Sequence, residues 1–79
     1  MKTKIQNYAN YRQGYTVSCK KSYSNFYDND YREYNKLKSI NYRAMRIFYS
    51  HSNDYIQGYR KGYLDTFRLL KKMQKIRFS

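Results

Sequence analysis

Lysine and arginine recur at helical spacing in two stretches of this chain. Arg32, Lys36, Arg43 and Arg46 follow one another with Ser39 between them, and Arg60, Lys61, Arg68, Lys71, Lys72 and Lys75 form a second series. Cations lined up on one side of a helix neutralise closely spaced phosphates and release their condensed counterions, so such binding falls steeply with salt. Guanidinium forks add a bidentate grip on phosphate, which puts Arg43, Arg46, Arg60 and Arg68 first among them. The competing reading is a solvated helix face, but such a face normally mixes both signs. Here 17 Lys+Arg stand against 5 Asp+Glu, a formal net charge of +12 on 79 residues. Like charges repel in a compact chain. The expected partner is therefore a polyanion, RNA before DNA, gripped on one or two phosphate-contacting surfaces.

The chain also has 12 Tyr and no Trp or Pro. A flat ring stacks on an unpaired base at ~1–3 kcal/mol, and single-stranded loops of RNA are the usual targets. Tyrosine can equally replace leucine in a small core, with its hydroxyl at the rim. Tyr34, Tyr59 and Tyr63 sit in the middle of apolar stripes and are expected in the core. Tyr42 and Tyr49 lie at the border beside Arg46 and join the candidate nucleic-acid site. Tyr8, Tyr11 and Tyr15 fit either role.

Other chemistry finds little support. Cys19 and His51 are the only residues of their kinds, too few for a structural zinc site, which needs four ligands. Cys19 has Lys20 and Lys21 beside it, which favours a thiolate, but no general base stands near it in the sequence. His51 follows a predicted helix, where a cation suits the dipole. The acids Asp28, Asp30, Glu33, Asp54 and Asp65 form no paired-carboxylate motif, and no glycine-rich phosphate loop is present. No catalytic residue, metal ligand or cofactor is expected. A small basic ribonuclease toxin working through Arg, Lys and Tyr is the one enzymatic alternative.

These residues must be positioned by helices. Asn53 is a good N-cap, and Asp54 suits the first turn of a helix. From there Tyr55, Ile56, Tyr59, Gly62, Tyr63, Phe67, Leu69, Leu70 and Met73 fall on one half of a helical wheel and the cations on the other, with Leu64 and Arg77 out of place; this predicts a helix over about 54–76. Asp30 and Glu33 form a capping-box variant. Tyr34, Leu37, Ile40, Asn41, Ala44, Ile47 and Phe48 then repeat at helical spacing, which predicts a second helix over about 30–50. The short connection at residues 50–53 makes the two an antiparallel hairpin. Gly58 and Gly62 clear one side of the later helix for another backbone, either the earlier helix or a second copy of the chain.

The first thirty residues are ambiguous. Ile5, Tyr8, Ala9, Tyr11 and Arg12 suggest a short helix ended by Gly14 at its C′ position, whereas Tyr15 to Cys19 alternates and is β-branched like a strand. The expectation is mainly α, a single domain over residues 1–79, with a short N-terminal helix or irregular segment packed on the hairpin. The alternative is α+β with a small sheet built from residues 1–27. A chain of this length buries only ~60% of its unfolded surface, so a polyanion or a homodimer partner would add stability.

No secretory signal and no membrane-spanning run is visible, which points to the cytoplasm. The amphipathic faces are needed for the core, which argues against a membrane-surface role. The tyrosine-rich, basic segment from Tyr55 to Tyr63 resembles small early proteins of T4-like phages that antagonise host defences. Among them the chain is similar in size and basicity to phage-encoded inhibitors of the ToxN endoribonuclease, which are thought to act through RNA. The resemblance implies counter-defence in the host cytoplasm against a nuclease or ribonucleoprotein. A protein-directed inhibitor resembling anti-CRISPR proteins, docked on an acidic surface, is the rival.

Overall fold

The computed structural model describes residues 4–78. The side chains of Lys4, Ile5, Gln6, Tyr42, Arg77 and Phe78 lie outside what is described. The chain forms α1 (Lys4–Tyr27), α2 (Arg32–Ser39), α3 (Tyr42–Phe48) and α4 (Asn53–Phe78). The mainly α expectation holds, and no strand occurs among the described residues, which removes the α+β alternative.

The expected helix over 54–76 is α4, capped one residue earlier than Asn53: the Ser52 hydroxyl accepts from the Tyr55 amide at 3.3 Å. The segment expected as one helix over 30–50 folds back antiparallel to α4, but in two pieces. Tyr34 stacks on Phe67, Arg60 reaches Leu37, and Tyr49 packs on Tyr59, so later residues of this strap meet earlier residues of α4. The break falls at Ile40 and Asn41. Ile40 is extended, and the Asn41 side chain caps α3 by accepting from the Ala44 amide at 2.9 Å. The predicted capping box does not form: Asp30 turns to Arg32 and Glu33 to Tyr59. The break also resets the buried face of α3. Met45 is fully buried, whereas Ile47 and Phe48, expected in the core, are exposed.

The N-terminal segment is a long helix. Gly14 does not end it, and Tyr15 to Cys19 lies in its interior. Its contacts run in step with α4: Tyr11 meets Gly58, Ser18 meets Gly62, and Phe26 meets Phe67, so α1 and α4 point the same way and the strap that joins them in sequence runs back along α4. All three glycines of the chain face this seam. A β-carbon at Gly58 would collide with the Tyr11 carbonyl, and one at Gly14 with the Tyr55 carbonyl. The partner that Gly58 and Gly62 make room for is thus α1, not the strap. Gly14, Ser18, Ser22 and Phe26, four residues apart, form the buried face of α1. The serine hydroxyls are satisfied by backbone, Ser18 donating to the Tyr15 carbonyl at 3.0 Å and Ser22 to the Tyr63 carbonyl at 2.8 Å. A buried hydroxyl without such a partner would be costly.

The core proper lies where α1, the strap and α4 meet. Leu37, Met45, Ile56, Tyr63 and Phe67 are fully enclosed, with Tyr34 and Tyr59 nearly so, as expected for the three tyrosines. On α4 the rings of Tyr55, Tyr59, Tyr63 and Phe67 stack in a ladder with centroids 6.3, 6.4 and 5.9 Å apart. Leu64, out of place on the wheel, is buried too, whereas Leu69 and Met73 are exposed. From Lys71 to Ile76, α4 is exposed on all sides.

Candidate nucleic-acid interface

The cations of α4 form one continuous surface. Helical spacing puts Gln57, Lys61, Arg68, Lys72 and Lys75 on the same outward side, flanked by Arg60 and Lys71. Arg68 joins two adjoining depressions: one of about 330 Å³ shared with Arg60 and Lys61, the other of about 380 Å³ shared with Lys71, Lys72 and Lys75. From Arg60 to Lys75 the row runs roughly 22 Å along the helix. Its one acid is Asp65, which pairs with Lys61 at 3.4 Å and accepts from the Tyr15 hydroxyl at 3.4 Å. No acidic residue follows Asp65 in the sequence. Lys71 rests 5.2 Å from the Tyr34 ring centroid. Arg60 is partly committed to the fold, its Nε donating to the Leu37 carbonyl at 3.1 Å near the end of α2. Arg68, Lys72 and Lys75 make no salt bridge among the described residues.

The expected second row does not survive the break at Ile40–Asn41. Arg32 forms a two-pronged pair with Asp30, Nε to Oδ1 and Nη2 to Oδ2 both at 3.0 Å. That pair and the Arg32 amide hold the Asp30 carboxyl down at about 2. Lys36 lies over the Phe48 ring, 4.1 Å from its centroid. Arg43 and Arg46 are exposed on α3 and line neither α4 depression. The structure thus brings together Arg60, Lys61, Arg68, Lys71, Lys72 and Lys75, and sets Arg32, Lys36, Arg43 and Arg46 apart on the strap.

Compared with known proteins, the chain matches no family model, no curated protein and no solved structure.

The two candidate tyrosines have different standing. Tyr42 contributes only backbone to the description. Tyr49 is half-buried, one side of its ring against Tyr59 at 5.2 Å. Burial, with the Glu33 carboxylate nearby, pushes its hydroxyl up to about 12. Tyr59, which donates to Glu33, is raised further by burial and that bond. Glu33 also pairs with Lys21 at 3.2 Å. Neither Lys21 nor Phe48 stood among the candidate site residues. Phe48 was hidden because an unbroken helix would have turned it inward; the one local signal was Asn41, a strong capping residue in the middle of an apolar stripe.

His51 is exposed and stacks on Tyr55 at 4.0 Å. The Cys19 thiol points at the Gly62 carbonyl, 3.7 Å away, within the seam. No group of three or more His, Cys, Asp or Glu that could hold a metal occurs among the described residues, and no described helix is long and apolar enough to cross a membrane.

Proposed function

We propose that this chain is a non-enzymatic RNA-binding protein that acts against a host nuclease or ribonucleoprotein, in keeping with its resemblance to phage counter-defence proteins. The observation that carries the reading is the row from Arg60 to Lys75 on α4, six cations with one acid among them. A rigid helix edge of that length matches several successive phosphates and makes no demand on base sequence. Support for a binding rather than a catalytic role comes from the carboxylates. Asp30, Glu33 and Asp65 are each engaged by a neighbouring cation, and two of them also by a tyrosine.

The test is a gel shift against structured RNA over a range of salt. With four to six phosphate contacts, log affinity should fall against log salt with a slope of about −3 to −5. The double variant Arg68→Glu/Lys72→Glu should lose binding while far-UV circular dichroism stays helical. Retained binding by that variant defeats the reading.

A second reading, docking on an acidic protein surface, draws on a different observation. Leu69, Met73 and Ile76 share one side of the overhanging turns of α4 and are each more than half exposed. Absorbance of the purified protein separates the two: nucleic acid raises the ratio at 260 over 280 nm, whereas a protein partner co-elutes at a low ratio.

A further inference from the structure

A cleft of about 530 Å³ opens between α1, α2 and the end of α3, walled by Lys21, Arg32, Glu33, Lys36, Phe48 and Tyr49 among others. Its acids are already spoken for, Glu33 by Lys21 and Tyr59 and Asp30 by Arg32. What the cleft presents outward is aromatic surface and ammonium groups. Phe48 is 63% exposed although it is a large apolar ring. The Lys36 ammonium hangs over it, 4.1 Å from its centroid and 5.4 Å from that of Tyr49. An exposed aromatic face beside ammonium groups is what a nucleotide needs: the ring takes the base by stacking, and the cations take the phosphate.

We propose that this cleft holds one unpaired nucleotide of a single-stranded nucleic acid, its base stacked on Phe48 in the place Lys36 now covers and its phosphate taken by Lys36, with Lys21 shared between that phosphate and Glu33. The inference rests on the RNA-binding reading and deepens it. The α4 row contacts phosphates whether or not the bases are paired, whereas a base held in a duplex cannot reach Phe48. The protein should therefore prefer single strands or bulged RNA to perfect duplex.

Fluorescence anisotropy with a labelled short oligouridine and a labelled RNA duplex of equal length tests it on the full chain. Phe48→Leu, at an exposed position, should keep the fold and weaken oligouridine binding about tenfold, with duplex affinity and salt slope unchanged. In proton NMR the Phe48 ring signals should shift as oligouridine is added and stay put with duplex. Unaltered oligouridine binding by Phe48→Leu, or equal losses on both RNAs, overturns the cleft while leaving the α4 row standing. If the unmodified protein binds neither RNA, both readings fall.

Discussion

The two sides of α4 are held by opposite means. Toward α1 the contact from Tyr11 to Ser22 is largely backbone against backbone, made possible by Gly14, Gly58 and Gly62 and by two serines whose hydroxyls are absorbed by carbonyls, and only its far end closes with side chains, Asn25 on Tyr63 and Phe26 on Phe67. Toward the strap it is side chain against side chain, through stacked rings, the Tyr59–Glu33 bond and the reach of Arg60 to Leu37. Close-packed backbones cannot yield, because their atoms have no rotamers to change. Side-chain contacts give way one at a time. Chemical character alone therefore does not tell what a residue does in this fold: a glycine can be structural and an arginine half so, while the cations on the third, outward side of α4 are left over for a partner.

That contrast sets a graded series of outcomes in thermal or urea unfolding. Gly58→Ala should be the most damaging, costing about 3 kcal/mol despite alanine's better helix propensity, because the Tyr11 carbonyl blocks the new methyl. For a domain this small that lowers Tm by at least about 12 °C. Tyr59→Phe should cost about 2 kcal/mol by removing a donor to the largely buried Glu33 carboxylate. Arg60→Ala should cost about 1 kcal/mol, the worth of its bond to the Leu37 carbonyl. Arg68→Glu/Lys72→Glu should change stability by no more than about 0.5 kcal/mol while removing RNA binding. A Gly58→Ala protein as stable as the unmodified chain would break the comparison at its base; an Arg68→Glu/Lys72→Glu protein that unfolds would break it at the top.

Alkaline titration sharpens the same contrast. Tyr49 is raised to about 12 in the folded chain, and Tyr59 and Tyr63 are raised as well, all chiefly by burial. An unfolded tyrosine ionises near ~10. Folding holds these hydroxyls neutral, so their contribution is complete below that pH and is lost as pH climbs through the folded values. Helicity should thus be steady up to about pH 10 and fall above it. Tyr59→Phe should make that fall shallower.

How far the sequence could be read depended on what each helix buries. In α4 the covered face is apolar over most of its length, so periodicity, start and cation row were all legible. The strap was legible in direction but not in its break, since Asn41 fits an apolar stripe by spacing and a cap by chemistry, and only the second holds. In α1 the buried positions are Gly14, Ser18, Ser22 and Phe26, of which only the last is apolar, so they leave no hydrophobic pattern, and Thr16 and Val17 argue locally for a strand. The pairing of α1 with α4 overrides that preference. The candidate site divided in the same way: the cations of α4 were found together, whereas the cleft at Phe48 needs a break in the helix that spacing does not reveal.

The ladder from Tyr55 to Phe67 gives the molecule its own optical signature. Aromatic chromophores fixed in a regular offset couple their electronic transitions and lend them rotational strength, and with no tryptophan in the chain nothing stronger masks the signal. Near-ultraviolet dichroism of the unlabelled protein thus reports whether the strap still clasps that column of rings, independently of the backbone spectrum.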